Sequence, residues 1–487
     1  MLTDDEIEQL KRRKLCFHCV GEAFLREEIS TTGKKVKCSY CKRTARCYSI
    51  GDMAGRIEFV FDQHYTRTAN EPNYMQSAIL SDKESSYEWE RAGEETVDAI
   101  MNAADIPGRA AQDIQSILEE QFSDFDSAAM GEETEFSSEC HYKEKGTNDA
   151  RLQAEWQEFE RSLKTEARFF SRTGARLLAS VFDGIDAMQT RDGRSMIVNA
   201  GPNTSLAAVY RARAFQSDDK LEVALTRPNK DLGSPPSVHA SAGRMNARGI
   251  SIFYGANDPD VALAEVRPPV GSQVAVARFE IIRPVRLLDL TALSDVSTHG
   301  SIFDPSLNDR LERTMFLRNL GQRITMPVMP DDEVFEYLPT QAIADFLATE
   351  TATPVDGIIF PSVQVAGEAL NVALFHTAAR VEEVALPKGT EVTARLGWME
   401  REGWEQDYTV IERVPPAIET PPPPPKGFAH IPMDFEAPWE SPDPDGRPVT
   451  LKIDLESLRV HIVEAVKFKT VEYEVKRHRW EKREPDF

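Results

Sequence analysis

The chain has 487 residues, of which 41% are hydrophobic, so it is long enough for several domains with apolar cores. Its formal net charge is −23, from 57 basic and 80 acidic residues, which argues against a generally basic nucleic-acid-binding surface. The first residues lack a secretory signal pattern, and no run of about 18 apolar residues occurs. We therefore predict a cytoplasmic protein without a membrane span, whose six cysteines are metal ligands or free thiols.

The first segment, residues 1–60, is predicted to be a zinc ribbon because it contains two C-x-x-C motifs. The cysteines of these motifs are Cys16, Cys19, Cys38 and Cys41. The motifs are separated by 18 residues, a spacing that is typical of a closed tetrahedral zinc site. A closed site has no position for water, so the zinc would be structural and would replace the core that a short module lacks. His18 and Cys47 are alternative ligands.

The same segment holds a local basic patch in an otherwise acidic chain. Its members are Lys34, Lys35, Lys37, Lys42, Arg43 and Arg46. Some zinc ribbons contact nucleic acid or protein, and others only support folding. The sequence leaves these alternatives open for the ribbon, while the overall acidity makes general nucleic-acid binding by the whole chain an unfavoured prediction.

The second segment, residues 61–198, is predicted to be a helical domain. Apolar residues recur at helical spacing over 85–125 and again over 152–163. Asn148 or Asp149 is a candidate N-cap for the second of these helices, since short polar side chains accept hydrogen bonds from the first turn.

The third segment, residues 199–385, mixes short β-type runs with helices. The predicted strands are 206–215, 250–254, 274–282, 357–360 and 371–375, and the predicted helices are 258–266 and 307–320. This alternation indicates an α+β fold with mainly antiparallel or mixed pairing.

The C-terminal part is predicted to contain three further pieces. Residues 386–414 form a β extension, and residues 415–448 form a semi-rigid proline-rich linker that includes five consecutive prolines. Residues 449–487 alternate apolar and polar side chains, which favours a strand or hairpin that docks on a sheet.

Arg211 and Arg213 are the first candidate site residues of the third segment. Period-two alternation puts both arginines on one face of the strand over 206–215. A guanidinium is expensive to bury without a partner, and its fork of donors matches phosphate oxygens. The alternative reading is an edge strand with solvated arginines.

A glycine-bracketed loop and a short helix supply the next candidates. The loop residues are Gly243, Arg244 and Asn246, and such a loop brings backbone donors and cations close to phosphate. It is followed by Tyr254 and by Glu265, a lone carboxylate among apolar helix residues. A carboxylate in this setting either reaches solvent or belongs to a site.

Ser362 is the last candidate and follows the buried run over 356–361. At the tip of a strand its hydroxyl is available to a ligand, although a serine at such a place is more often a simple turn residue. The G-x-S-x-G pattern is missing, so a serine nucleophile is not predicted.

Over about residues 205–380 these segments together resemble the RES domain family. The resemblance rests on Tyr210-Arg211, Gly243-Arg244-x-Asn246, Phe253-Tyr254, Ala264-Glu265 and Pro361-Ser362, which agree in order and spacing. Met245 departs from the family pattern, in which an aromatic residue is common at this place. The upstream region resembles the HEPN/RES N-terminal domain, but residues 60–200 lack an R-x4-6-H motif, so ribonuclease activity is not predicted.

The resemblance implies a fold like that of ADP-ribosyltransferases and an enzyme that degrades NAD, its substrate, as a glycohydrolase or phosphorylase. It also implies a toxin restrained by an antitoxin, or a phage-defence effector regulated by its N-terminal half, with a homo-oligomer as a further expectation. By this analogy Arg211 holds the NAD phosphates, Tyr254 stacks on nicotinamide or its ribose, Glu265 stabilises the cationic transition state, and Ser362 positions the ribose. The residues expected to bind NAD are Arg211, Arg213, Gly243, Arg244, Asn246 and Tyr254.

Two other functions remain open at this stage. The same pocket would serve an ADP-ribosyltransferase that modifies a macromolecule, and the sequence does not separate this activity from NAD degradation. A non-catalytic zinc-ribbon binding protein with a decayed pocket is disfavoured, because Arg211, Tyr254, Glu265 and Ser362 all occur together.

Overall fold

The computed structural model describes residues 3–82, 84–124, 130, 132–166, 168–365, 367–400, 403–416, 445–467 and 470–480. The chain forms two compact units, each built from several segments. The first unit comprises Met1–Glu158, Met188–Arg194 and Ser294–Leu320, and the second comprises Phe159–Ala187, Ser195–Leu293 and Gly321–Phe487. Within the described ranges, no helix combines the length and the apolar character needed to cross a membrane.

The helices have the following bounds in chain order: α1 Asp4–Arg12, α2 Ala23–Thr32, α3 Ile50–His64, α4 Tyr74–Ser81, α5 Thr96–Ala104, α6 Gly108–Gln121, α7 Ala150–Thr165, α8 Arg172–Phe182, α9 Asp218–Thr226, α10 Pro228–Asp231, α11 Pro259–Glu265, α12 Leu290–Leu293, α13 Leu307–Thr325, α14 Glu333–Glu336 and α15 Leu338–Thr349.

The strands are β1 Lys14–Cys16, β2 Lys34–Lys37, β3 Thr44–Ser49, β4 Tyr65–Arg67, β5 Glu94–Glu95, β6 His141–Glu144, β7 Gln189–Thr190, β8 Ile197–Ala200, β9 Ala208–Phe215, β10 Phe253–Ala256, β11 Gln273–Ile281, β12 Val285–Asp289, β13 Val296–Ser297, β14 Gly357–Pro361, β15 Leu370–Leu374, β16 Glu391–Glu400, β17 Gly403–Arg413 and β18 Leu451–Ile462.

The first unit combines helices with small sheets. Its three-stranded sheets have the orders β1-β3-β2 and β4-β6-β5, and β7 pairs with β13. Helices α1, α3, α5 and α6 bury one apolar core, whose fully buried members include Ile57, Ile100 and Ile114. Of the helical stretch predicted over 85–125, residues 96–104 and 108–121 are helical, as α5 and α6, and the two helices are separated where Asp105 adopts a left-handed φ of 48° ahead of Pro107. The prediction was wrong for residues 85–95, which have no helix and end in the short strand β5.

The second unit is built on an eight-stranded sheet of order β18-β11-β9-β10-β15-β14-β12-β8. The β12–β14 pair is parallel, and the other neighbouring pairs are antiparallel. The mixed helix and sheet content predicted from the sequence is confirmed. Strands β9 and β10 lie in the middle of this sheet, so each is flanked by a neighbouring strand on both sides.

Each face of the large sheet is covered by apolar packing. On one face, Val209, Phe253 and Phe279 belong to a core that also includes residues of α9. On the other face, Val261 of α11 packs in a smaller core with Ala212. Helix α11 is thereby fixed directly against the central strands.

The C-terminal region adds a docked strand and a hairpin. Strand β18 pairs antiparallel with β11, as the alternation of the tail predicted, and β16 pairs with β17 in a two-stranded hairpin. Residues 470–480 have neither helix nor strand, although their alternation favoured a second strand, and Val475 is 90% exposed there. The alternating pattern has no neighbouring strand to pair with in this part of the described chain. Most of the predicted proline-rich linker, 417–444, lies outside the described residues.

Candidate functional site

A cavity of about 290 Å³ lies beside the junction of β9 and β10. The register between these two strands is the single pair Ala256 and Tyr210, so they are not joined along their length. The cavity is lined by Tyr210, Arg211, Ala212, Tyr254, Gly255, Ala256, Ala262, Glu265, Val266, Phe360 and Asn371. Five separate elements thus contribute to it, namely β9, β10, α11, β14 and β15.

Arg211 is part of the cavity wall, and none of the described carboxylates pairs with it. Its guanidinium lies over the ring of Phe253, with 4.8 Å from Cζ to the ring centroid. The Nη1 atom is buried and has no hydrogen-bond partner in the described residues. Burial first, and the neighbouring Arg213 second, lower the pKa of Arg211 to about 10, so it stays cationic at neutral pH. An unpaired buried cation is costly, which favours an anionic ligand at this place.

Glu265 is positioned by the short helix α11. The helix begins with Asp258 as N-cap, whose side chain accepts from the backbone N–H of Asp260, and Pro259 occupies its first turn. It ends at Glu265, two residues before Arg267 adopts a left-handed φ of 45°. This local sequence therefore places the carboxylate at the C-terminal end of a helix that is packed on the central strands.

One oxygen of Glu265 is held by two side-chain donors. Its Oε1 accepts from Oγ of Ser362 at 2.6 Å and from Nδ2 of Asn371 at 2.8 Å. Its Oε2 has no hydrogen bond in the part of the chain that the structure describes. The carboxylate is thus oriented through Oε1 and offers Oε2 to a ligand in the cavity.

Ser362 is itself held in one orientation. Its Oγ accepts from the backbone N–H groups of Gln364 at 3.1 Å and Val365 at 3.2 Å. Because these bonds occupy the acceptor positions of the hydroxyl, its proton is directed to Glu265. The arrangement suits a residue that positions a carboxylate and does not suit a nucleophile.

Tyr254 is fixed by the glycine-bracketed loop. Its hydroxyl donates to Oδ1 of Asn246 at 2.8 Å and accepts from the backbone N–H of Met245 at 3.1 Å. Burial raises the pKa of Tyr254 to about 12. With the hydroxyl held in this way, the ring stands as a rigid part of the cavity wall.

The loop requires glycine at position 243 for reasons of space. A Cβ atom there would lie 2.7 Å from Oδ1 of Asn246 and 2.9 Å from the hydroxyl of Tyr254. The amide of Asn246, whose residue is 3% exposed, also donates to the carbonyls of Ser241 and Ile250 at 2.8 and 2.9 Å. Gly243 and Asn246 therefore build the loop that holds Tyr254, and neither of them lines the cavity.

Arg213 and Arg244 point to other partners. Arg213 donates to the backbone carbonyl of Asp231 at 2.5 Å, and its side chain is exposed. Arg244 donates to the carbonyl of Ile324 at 2.6 Å and lies over the ring of Tyr337 at 5.0 Å. The structure thus brings together Arg211, Tyr254 and Glu265 in one cavity wall, and it places these two arginines outside that wall.

Asn371 is the site residue that sequence reasoning missed. It is 6% exposed within the otherwise apolar run of β15 and donates directly to Glu265. The signal was available, because a buried amide inside an apolar strand meets the same criterion that singled out Arg211 and Glu265. Phe253, whose ring lies under the guanidinium of Arg211, was also missed. Nothing in the sequence distinguishes it, because phenylalanine is common in apolar cores.

The four predicted cysteine ligands meet in the first unit. Their sulfur atoms all lie within 4.8 Å of one another. Measured pairs are Cys16 to Cys41 at 3.5 Å, Cys16 to Cys19 at 3.7 Å and Cys19 to Cys38 at 4.0 Å. A tetrahedron with Zn–S bonds of about 2.3 Å has edges of about 3.8 Å, so the four sulfurs fit such an ion.

The two alternative ligands lie outside this group of sulfurs. The thiol of Cys47 contacts the carbonyl oxygens of Ala45 at 3.3 Å and Val36 at 3.5 Å. The ring of His18 packs against that of Phe17, with 3.9 Å between the centroids. The donor set is therefore four thiols.

Comparison with known families identifies two regions of the chain. Residues 208–396 match the RES domain, and residues 31–176 match HEPN/RES N-terminal domain 1. No curated protein and no solved structure matches the chain. The two domains together indicate a toxin-like function related to NAD. The resemblance found in the sequence motifs is thus confirmed: the chain carries a RES domain, and a HEPN/RES N-terminal domain precedes it.

Proposed function

We propose that this chain is an NAD-consuming enzyme that cleaves the bond between nicotinamide and ribose, as a glycohydrolase or a phosphorylase. The observation that carries the proposal is one cavity wall with two complementary charges. Glu265 offers a free carboxylate oxygen while its other oxygen is held by Ser362 and Asn371. Arg211 offers a buried guanidinium with an unpaired nitrogen. NAD carries the matching groups, a pyrophosphate and a cationic nicotinamide riboside.

Binding follows from these charges. The guanidinium of Arg211 pairs with pyrophosphate oxygens, which supplies the partner that Nη1 lacks. The ring of Tyr254 provides a rigid face for the nicotinamide ring, since its hydroxyl is held by the loop. The free oxygen of Glu265 accepts from a ribose hydroxyl beside the bond that breaks. We propose, on the same grounds, that the eight-stranded sheet is an ADP-ribosyltransferase-like fold.

The reaction needs electrostatic help more than proton transfer. When the N-glycosidic bond breaks, its electron pair goes to nicotinamide, which leaves as a neutral ring. The ribose C1′ becomes an oxocarbenium-like cation, and the carboxylate of Glu265 stabilises it at short range. In hydrolysis a water oxygen then bonds to C1′ and loses a proton to solvent. In phosphorolysis an unprotonated phosphate oxygen bonds to C1′, and no proton need be lost. No general acid is required for the leaving group.

In this proposal the four cysteines, which we call the cysteine quartet, stabilise the fold and take no part in catalysis. Cys16, Cys19, Cys38 and Cys41 would hold a structural zinc ion. The ion would join the end of β1 to the turn between β2 and β3, and it would add no chemistry to NAD cleavage.

We further propose that the N-terminal half regulates the enzyme as part of a toxin or defence effector, restrained by an antitoxin or released by a trigger. The support is the presence of a HEPN/RES N-terminal domain ahead of the RES domain. An unrestrained NAD-consuming enzyme would deplete the cofactor pool of its own cell, so a restraint is a functional need.

The test is nicotinamide release from NAD by the purified chain, with and without phosphate, beside Glu265→Gln. The variant should lose activity by a factor of about 10² to 10³, because it removes the charge that stabilises the transition state. Asp260→Asn is the matched control, since it removes an exposed charge from the same helix. Equal release by Glu265→Gln and the wild type would contradict the proposal. A requirement for phosphate would select phosphorolysis, and transfer of label from tagged NAD to a macromolecule would select ADP-ribosylation instead.

A further inference from the structure

A cluster of cations on the first unit has no counterpart in the proposed chemistry. Residues 29–51 contain six basic residues and no aspartate or glutamate, in a chain whose formal net charge is −23. The six are Lys34, Lys35, Lys37, Lys42, Arg43 and Arg46, and all of them are exposed. A positive segment of this density in an acidic protein needs a physical reason of its own.

The β2–β3 pair arranges part of this cluster on one face. Lys35 stands directly opposite Arg46, and Lys37 stands opposite Thr44. The intervening Val36 and the buried Ala45 point to the other side, toward the cysteine core. The outer face of the pair is therefore an exposed surface of positive charge, which we call the basic face and define as Lys35, Lys37 and Arg46, with Lys42 and Arg43 at its end.

The basic face is not explained by internal ion pairs. The side chains of Lys34, Lys35, Lys37 and Arg43 make no hydrogen bond or ion pair with any residue that the structure describes. Arg46 donates to the backbone carbonyls of Thr31 at 2.6 Å and Gly33 at 3.3 Å, which fixes its guanidinium, and no described carboxylate pairs with its charge. Like charges directly opposite each other in a sheet are destabilising, so Lys35 and Arg46 impose a cost that an anionic ligand would remove.

The frame under the basic face is rigid. Strand β3 is paired on both sides, with β1 and with β2, and the cysteine sulfurs meet where these strands end. The residue that follows the second C-x-x-C motif, Lys42, adopts a left-handed φ of 63°, which turns the chain into β3. The cations are therefore held on a preformed surface, and binding would order few additional residues.

We propose that the basic face binds the phosphate backbone of a nucleic acid, independently of sequence. Its cations are exposed and spaced along a strand pair and the turn that follows, and such a row of charges suits an extended polyanion better than a small anion. The face presents point charges and one threonine, so it is suited to phosphate contact and offers little for reading base edges. The acidity of the rest of the chain would confine such binding to this one face.

The experiment uses the full chain and fluorescent oligonucleotides of random sequence, about 20 nucleotides long, as single-stranded RNA, single-stranded DNA and duplex DNA. Binding is measured by anisotropy over a series of salt concentrations. Lys35→Ala/Lys37→Ala should weaken binding at about 0.1 M salt by a factor of about ten or more. The slope of log K against log salt should become shallower by about 1 for each lysine removed.

Lys220→Ala/Lys388→Ala is the matched control, because it removes two exposed charges from the second unit. It should bind oligonucleotides as the wild type does. All three proteins should release nicotinamide equally, so a failed nucleic-acid proposal can be told apart from a failed proposal of NAD cleavage. The proposal is overturned if the wild type binds none of the oligonucleotides at low salt, or if Lys35→Ala/Lys37→Ala binds them unchanged. Binding of heparin without binding of any oligonucleotide would overturn it in favour of a polyanionic partner other than a nucleic acid.

Discussion

The chemistry of the candidate site depends on how a single carboxylate is held. Oγ of Ser362 accepts hydrogen bonds from two backbone N–H groups and donates one to Oε1 of Glu265, and Asn371 donates to the same oxygen. Two donors on Oε1 fix the plane of the carboxylate and leave Oε2 toward the cavity. Preorganised charge of this kind would cost no reorientation during the proposed reaction, so small changes at the groups that support the carboxylate should have large effects.

Asn371→Asp tests this arrangement with almost no change in shape. In the wild type, Nδ2 of Asn371 lies 2.8 Å from Oε1 of Glu265 and donates to it. The substitution replaces this donor by a second carboxylate. Two carboxylates at that distance share a proton, so an activity that needs ionised Glu265 should fall at neutral pH. The acid limb of the pH profile of kcat/KM should move to higher pH by about one unit or more.

Asn257→Asp is the control, since Asn257 bonds to the backbone of Glu368 and Leu370 and does not touch Glu265. Its pH profile should match that of the wild type. An unchanged acid limb in Asn371→Asp would show that Asn371 does not act through the carboxylate.

Tyr254→Phe tests the support of the cavity wall and has a defined pH signature. Without the hydroxyl, Oδ1 of Asn246 and the N–H of Met245 each lose a hydrogen bond. This loss should lower the free energy of unfolding by about 1 to 3 kcal/mol. Burial raises the pKa of Tyr254 to about 12, above the unfolded value of about 10. Its stabilising contribution is therefore present below about pH 10 and is lost as pH rises toward about 12.

The measurement is urea unfolding of wild type and Tyr254→Phe at about pH 9 and about pH 11. The wild type should lose more stability than the variant over this interval, so the gap between them should narrow. Tyr473→Phe, at a residue that is 82% exposed, should follow the wild type at both pH values. If the difference in free energy of unfolding between wild type and Tyr254→Phe is the same at both pH values, titration of the buried Tyr254 hydroxyl does not contribute to it.

At the scale of elements, we expect the β1–β3–β2 sheet to depend on its cysteine quartet more than on an apolar core of its own. Its strands are short, and the buried cluster beneath it consists of Cys16, Cys38, Ala45 and Cys47. Tyr40, inside the second C-x-x-C motif, donates to Asp113 of α6 at 2.6 Å, and Arg13 donates to the same carboxylate. The turn that contains the second C-x-x-C motif is therefore hydrogen-bonded to helix α6, which belongs to the core of the same unit.

Cys38→Ser should abolish metal binding, because it removes one of four thiolate ligands. Elemental analysis of the purified chain should find about one zinc ion per wild-type chain and little in the variant. Cys47→Ser is the matched control, since this thiol contacts carbonyl oxygens and lies outside the quartet. Loss of zinc from Cys47→Ser, or a metal-free wild type, would contradict the assignment of ligands.

At the scale of the whole molecule, the chain crosses between its two compact units several times. Residues 294–320 follow the first part of the RES region in sequence but belong to the first unit. There, Phe303 is buried in the core of that unit, and Glu312 accepts from the guanidinium of Arg151 and from the N–H of Leu152. A cut between the helical half and the RES half of the sequence is therefore not a cut between compact units.

A fragment of residues 195–487 should consequently fold poorly. It lacks 159–187, whose Phe182 packs near Phe346 in the second unit, and it exposes the apolar side of 294–320. We expect limited proteolysis to digest the fragment faster than the full chain, with no cooperative thermal transition. A fragment that unfolds cooperatively and releases nicotinamide would show that the RES region is autonomous.

Much of the fold was predictable because its signals are local. Strands β9, β11, β14 and β15 and helices α11 and α13 lie close to their predicted positions, since alternation, N-cap and proline signals act within a few residues. The second unit's docked strand β18 was also indicated by alternation. The break between α5 and α6 was missed, because the apolar spacing continues across Asp105 and the left-handed turn there is set by packing.

The sequence by itself determined which residues are candidates for chemistry, because a charged side chain in an apolar segment, a cysteine spacing and a family motif are all visible in the chain. It singled out Arg211, Glu265 and Ser362 as candidate site residues and the four cysteines as candidate metal ligands. The tertiary structure alone decided which of these atoms meet. Asn371 reaches Glu265 across 106 positions of sequence, and Arg213 and Arg244 turn to other partners, because such contacts depend on how distant segments pack.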